Sequence, residues 1–360
     1  MTANQLGHFE LQLGRRLFAQ LLFLQPLLSM PPSWLLPIRI SFESSSMHLA
    51  SHMDSSIVVS MSNKQVLAVD LGQSGCRLKQ GELLIVSDRG KFAAQMPMPT
   101  LRAIFADTEK LSADVVALSC SGFNGTVVEP QSYGQLCREF FGATKVAVID
   151  DGFAGFIGAL NGSDGVVLSI GGGVVAVGGN QGVYAHRDGL GSTFGDEGGG
   201  FWLGKLAITK ALALRQGRGD DFKMLQYFAD ELAFYDALEI KDGAAAATFA
   251  INTAKKVLDA ADAGVSTATA IVDEGAFLLA QTVIATWLGA GGKKSELPEI
   301  VIKGGPSGNA SYVAKIQLEI SRKIPEVQFV ESAGDNLVGA TWIANNLLQD
   351  VPPLLLWSGL

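Results

Sequence analysis

The sequence predicts an α/β protein of two related lobes, each a mixed sheet flanked by helices, with a cleft between them. Three observations point there. Short apolar strands alternate with helical stretches from Gln65 onward, which packs helices onto sheets. The unit strand, glycine turn, strand occurs twice, opening at Val66 and again at Gly165. A third glycine turn, Gly304-Gly305, follows a late strand.

In order, Val66–Val69 is a β-branched and apolar run ending in Asp70 and a glycine turn, as a buried strand would. Strand-like stretches follow at Gly75–Gln80 and Glu82–Ser87, close enough for an antiparallel meander. A helix is expected over Leu101–Lys110, a strand at Val115–Leu118, a helix at Gln135–Phe141 and a strand at Lys145–Ile149 that ends in Asp150-Asp151. A helix then runs to Leu160 with Asp151 near its N-terminus. The second half opens with a strand at Gly165–Ile170, a turn at Gly171-Gly172-Gly173 and a strand at Val174–Gly178. Helices are expected at Phe201–Leu214, Phe222–Tyr235, Ala244–Ala261 and Thr267–Leu288. A strand at Glu299–Lys303, a helix at Gly308–Lys323, a strand at Gln328–Glu331 and a helix at Asn336–Leu348 complete the pattern.

On this reading the chain divides into an N-terminal extension at 1–63, a lobe at 64–157 completed by a C-terminal helix at 334–350, and a second lobe at 158–333. The extension differs from the rest. Leu17–Leu28 is apolar behind Arg15-Arg16 and superficially like a signal peptide, yet it is too short to span a bilayer, and the next stretch is interrupted by Pro26, Pro31, Pro32 and Pro37. The expectation is a disordered or wrongly assigned segment, with Met53 or Met61 as the start, and a cytoplasmic protein.

Composition narrows the function classes. The net charge of −8, with no run of five or more like charges, argues against a nucleic-acid partner. Three cysteines without CxxC spacing fit reduced thiols in a cytosolic chain. Beyond residue 52 only His186 remains, which excludes a histidine-rich metal site and a Ser-His-Asp enzyme.

The chemistry concentrates at glycine turns and carboxylates. Glycine lets several backbone N–H groups converge on a polyphosphate. Asp70-Leu71-Gly72-Gln73-Ser74-Gly75 offers this, with Gly72, Gln73 and Ser74 at the turn and Asp70 able to hold Mg²⁺ through water; an ordinary hairpin turn is the alternative. Gly171, Gly172 and Gly173 form the second candidate, Gly304 and Gly305 the third. Neither a Walker GxxxxGK[ST] nor a GxGxxG fingerprint is present at the first strand. Asp151, at a strand-to-helix junction, is placed as a general base or as a helix N-cap. Gly189–Gly200 carries six glycines around Asp196-Glu197, a pattern suited to a shaped binding loop whose carboxylates accept sugar hydroxyls, or to a solvated loop.

Together these motifs resemble the BadF/BadG/BcrA/BcrD ATPase family, over roughly Lys64–Leu348, in particular its sugar kinases acting on N-acetylglucosamine. Gly195-Asp196-Glu197-Gly198 through Gly204 is close to the family's GDEGS run, Asp70–Gly75 resembles its first phosphate motif, Asp150-Asp151-Gly152 its Asn-Asp-Ala, Ile170–Gly173 its second phosphate motif and Lys303-Gly304-Gly305 its adenosine motif. The resemblance implies two actin-like (ribonuclease H-like) lobes and ATP and Mg²⁺ as cofactors. A homodimer is the expectation, since long apolar helices such as Thr267–Leu288 could pack between subunits. It implies Asp151 as the catalytic base, Asp70 at the metal–phosphate end of ATP, Gly304 and Gly305 at the adenosine, and Asp196 with Asn124 at the sugar. Leu71 and Gln73 stand where the family has glycines, and Gly172 and Val174 where it has hydroxyl residues. Cys76, Cys120 and Cys137 lack the spacing of the iron–sulfur members. The expected activity is phosphorylation of an amino sugar, N-acetylglucosamine at its 6-hydroxyl. The alternatives are a kinase for glucosamine or another hexose, an ATP-binding regulator or sensor that phosphorylates no sugar, and a sugar-binding protein that uses no ATP.

Overall fold

The computed structural model describes residues 64–91, 95–108, 111–238, 243–346 and 348–359, and the expectations for 1–63 lie outside them. The first half runs β1 (Val66–Leu71), β2 (Cys76–Gln80), β3 (Leu83–Ser87), α1 (Pro97–Asp107), β4 (Val115–Cys120), α2 (Gln131–Phe141), β5 (Lys145–Asp150) and α3 (Asp151–Ala159). It continues with β6 (Gly165–Ile170), β7 (Val174–Asn180), β8 (Val183–Asp188), α4 (Gly200–Arg215), α5 (Phe222–Tyr227), α6 (Ala229–Ala237), α7 (Gly243–Asp262) and α8 (Ser266–Gly289). The chain closes with β9 (Glu299–Lys303), α9 (Ala310–Ser321), β10 (Gln328–Phe329), α10 (Asn336–Asn346) and β11 (Leu354–Ser358).

Two mixed sheets result, ordered β11-β5-β4-β1-β2-β3 and β10-β9-β6-β7-β8. With β11 set aside the orders are the same: an antiparallel three-strand meander whose first strand pairs in parallel with a strand that follows a helix. The duplicated opening seen in the sequence is therefore a duplicated sheet. Central strands β1, β4 and β6 are apolar runs because helices cover both their faces.

Helices α3 and α10 lie between the sheets, where Ala68, Ala117, Val167, Val177, Phe156 and Ile343 share one core. They touch backbone to backbone. A Cβ on Gly158 would meet Asp335 O at 2.1 Å and one on Gly339 would meet Ala154 O at 1.8 Å, so glycine is required at both. The outer faces of the sheets carry their own cores, under α1 and α2 on the first and under α4, α7, α8 and α9 on the second.

Several details differ from the sequence expectations, among them α1, which begins at Pro97 rather than Leu101. The helix expected at Phe222–Tyr235 is two helices that meet at the fully buried Phe228. α2 starts at Gln131, where Glu129 accepts from the Ser132 N–H at 3.0 Å and supplies a start signal ahead of the apolar stripe. β10 has two residues rather than four. β8 and β11 are additional strands. Among the described residues α8 alone is long and apolar enough to cross a membrane, but that apolar length is used inside the chain, where Ile271, Leu279 and Val283 pack into the core of the second sheet.

Candidate active site

Parallel pairing sets the carboxyl ends of β1, β4 and β5 side by side, with Asp70 opposite Ser119 and Cys120 opposite Asp150. Asp70 is buried; its Oδ1 accepts from Ser119 Oγ at 3.1 Å and its Oδ2 from Arg77 Nη2 at 2.6 Å. The other terminal nitrogen of Arg77 reaches Asp335 at 2.6 Å. Asp335 in turn accepts from the N–H groups of Leu337 and Val338, both at 3.1 Å, at the start of α10. The sequence reading missed Arg77. Pairing β1 with β2 in an antiparallel hairpin puts it directly opposite Asp70, and that register was the available signal.

Of the adjacent carboxylates, Asp150 is the helix cap. Its Oδ1 accepts from Phe153 N–H at 3.2 Å and its Oδ2 from Gly125 N–H at 3.0 Å. Asp151 is thereby relieved of the capping role and begins α3, with one bond from Gly152 N–H at 3.0 Å. Burial, then the negative charges of Asp150 and Asp70, push its carboxyl from 3.8 up to about 7. A carboxyl titrating there is poised to take a proton near neutral pH. Asn124 is exposed in the left-handed region at φ +50° on the loop after β4. On the same loop the buried Ser121 Oγ has no hydrogen-bond partner, a second site atom that the sequence reading passed over.

The three glycine turns behave differently. The first is tight: Gly72 N–H donates to Gly75 O at 2.9 Å, leaving Gln73 and Ser74 exposed at the tip. In the second, Gly171 N–H donates to Gly173 O at 2.8 Å, and the carbonyls of Gly171 and Gly172 accept from Gly200 and Phe201 N–H at 2.8 and 2.9 Å, which seats the start of α4 against the turn. Asp196, at φ +60°, accepts from Val174 N–H at 2.9 Å and lies over Gly173, where a Cβ would meet its oxygens at 2.7 Å. The structure therefore joins Asp196 to the second turn, while Glu197 is exposed. The third turn needs glycine: Gly304 has φ +111° and a Cβ there would meet Ile170 O at 2.1 Å.

The second and third turns, through Gly171, Gly172 and Gly305, wall a cavity of 480 Å³. Ile251, Asn252 and Leu258 of α7 form another part of its wall, and no sequence motif marks them. This volume lies in the range of small-molecule sites. No group of three or more His, Cys, Asp or Glu among the described residues forms a metal cage. Asp70 at the end of β1 and the orphan hydroxyl of Ser121 are the groups here that could help hold a cation, through water rather than as a cage.

Solved structures share this architecture. A Chromobacterium violaceum protein assigned as an N-acetylglucosamine kinase superposes with a TM-score of 0.54 at 18% identity, covering 78% of this chain and 99% of that one. A Porphyromonas gingivalis protein assigned the same activity gives 0.51 at 13% identity, over 79% and 100%. None of the curated proteins matches. At these identities the likeness establishes the sugar-kinase fold. A family model covers residues 92–344, most of the chain, and on that match the protein belongs to the BadF/BadG/BcrA/BcrD ATPase family.

Proposed function

We propose that the protein is an ATP-dependent sugar kinase whose acceptor is an amino sugar, N-acetylglucosamine phosphorylated at its 6-hydroxyl. The observation that carries this reading is Asp151, a half-buried carboxyl freed from capping and pushed up to about 7, beside the strand ends where the phosphate turn begins. Family membership and the sugar-kinase fold support ATP as the donor. The 480 Å³ cavity supports an adenosine site at Gly304-Gly305, with the phosphates running past Gly171–Gly173 toward Gly72, Gln73 and Ser74. On this reading the first lobe carries the acceptor and the second the nucleotide.

Asp151 takes the proton of the acceptor hydroxyl as its oxygen bonds to the γ-phosphorus; the bond from that phosphorus to the β–γ bridging oxygen breaks and ADP leaves. Arg77 holds Asp70 in place, and Asn124 with the Asp196-Glu197 loop borders the acceptor. Mg²⁺, held at Asp70 through water and by the phosphates, would supply neutralisation of phosphate charge. Closure of the lobes excludes water from the reacting phosphoryl group. The three buried thiols and the use of ATP support a cytoplasmic location.

The test couples ADP release to glucosamine, N-acetylglucosamine, N-acetylmannosamine and glucose as acceptors. Turnover is expected to be highest on N-acetylglucosamine. ATP binding with no product on any of the four favours a nucleotide-binding regulator of the same fold.

A further inference from the structure

Beside Asp150 lies a second cavity, of 360 Å³, that none of the phosphate turns enters. Its walls are largely apolar: Phe153 and Val177, Tyr184 and Ala185 of β8, and the segment Val351-Pro352-Pro353 that leads into β11. Phe153 and Tyr184 meet edge to face with centroids 4.8 Å apart. The polar groups on the wall are the side chains of Asp150 and His186 and the hydroxyl of Tyr184. Asp150 is 2% exposed, and each of its oxygens already accepts one backbone N–H. An ionised carboxylate has about four lone-pair positions, so acceptor capacity remains for a ligand N–H or O–H. Gly125, which also lines the cavity, is held at φ +78° so close to His186 that a Cβ would meet its ring at 2.9 Å. The residue before it is Asn124, so the cavity adjoins the loop assigned to the acceptor.

The Val351–Pro353 wall is fixed rather than loose. Pro352 O accepts from Val127 N–H at 2.8 Å, Pro353 O accepts from Asp150 N–H at 2.9 Å, and β11 then pairs with β5 from Leu354 opposite Ile149. The family match ends at residue 344, so this wall lies outside the matched residues.

We propose that this cavity is a subsite for an apolar acyl group on the nitrogen of the acceptor amino sugar, with the amide N–H directed to Asp150 and the acyl chain against Tyr184, Ala185 and Pro352. The proposal rests on the sugar-kinase reading and extends it to substrate selection. The cavity volume of 360 Å³ equals that of about twelve waters, well beyond the needs of an acetyl group. The protein should therefore prefer N-acyl groups longer than acetyl.

Direct binding tests this without relying on turnover. Calorimetric Kd values for glucosamine, N-acetylglucosamine and N-butyrylglucosamine are expected to tighten along the series, at least tenfold from first to last. Pro352→Trp keeps the carbonyl that Val127 uses and fills the cavity, and should reduce that selectivity at least tenfold. Flat or weakening affinity along the wild-type series overturns the subsite whether or not the variant folds, as does no binding of any member. An unaltered selectivity ratio in a folded Pro352→Trp protein also overturns it. If the series tightens but ATP is not consumed with any acceptor, the kinase reading fails and the subsite stands. If glucosamine is phosphorylated but acyl length has no effect, the subsite alone fails.

Discussion

Replacing Asp151 with asparagine should make the protein less active and, above neutral pH, more stable. The carboxyl rises from 3.8 to about 7 in the folded state. That rise corresponds to about 4 kcal/mol against the charged form. Between these two values the folded protein holds a proton that the unfolded chain has lost, so wild-type stability falls as pH increases toward 7 and then levels off. Asparagine has no such titration. Because Asp151 is only partly shielded from solvent, about half of that energy, or about 2 kcal/mol, is the expected gain at pH 8 over the difference at pH 4. For a domain of this size that is about 5 °C in Tm. Loss of a general base lowers turnover by about 10²–10⁴-fold. The assays are thermal melts at pH 4, 6 and 8 and ADP release with N-acetylglucosamine. In the wild type the same titration should give kcat/KM an acid limb near pH 7, falling tenfold per pH unit below it. Undiminished turnover, or a variant whose stability relative to wild type does not improve from pH 4 to pH 8, refutes the assignment of Asp151 as a desolvated base.

Ile251→Trp places an indole in the wall of the 480 Å³ cavity against Gly172, and should weaken ADP binding at least tenfold, read by calorimetry; unchanged affinity would remove the nucleotide from that cavity. Gly304→Ala forces a side chain into φ +111° and into the Ile170 carbonyl, and should lower stability by about 2–3 kcal/mol in urea titrations. Cys76, Cys120 and Cys137 are buried, and burial, ahead of any charge effect, pushes all three thiols up, that of Cys76 to about 12. Ellman's reagent at pH 8 should therefore label none of them in the native protein and all three in denaturant.

The parts of the fold that were legible in the sequence are those with a one-dimensional cause. β1, β6 and β9 are short apolar runs ending at turn residues, and both glycine-turn repeats follow from them. β8 escaped because it is an edge strand that buries only Ala185 among Tyr184, His186, Arg187 and Asp188, so its alternation is weak. β11 is a partner of β5 supplied from the far end of the chain, a pairing set by topology rather than by local pattern. That Asp150 rather than Asp151 caps α3 was likewise illegible. Both have the chemistry of a cap, and only the backbone geometry decides that Phe153 N–H goes to Asp150. The 480 Å³ cavity was half legible: its glycines stand in recognisable turns, whereas Ile251, Asn252 and Leu258 are ordinary residues of α7 brought there by packing.

The glycine contact between α3 and α10 has a mechanical consequence. At Gly158 and Gly339, set against the opposing backbone, these helices have no side-chain layer along which to slide. Sliding by even a fraction of a turn would drive main-chain atoms into one another, so the pair is a single stiff axle. Rotation about it, a hinge rather than a shear, is the relative motion of the two sheets that this contact opposes least. The connections that cross beside this axle, at Asn161–Asp164 and Val330–Asp335, are where the dihedral change must be absorbed. Asp335, tied through Arg77 to Asp70 at the first glycine turn, sits on one of them, so the hold on that carboxylate and the bearing of the hinge are parts of one linkage.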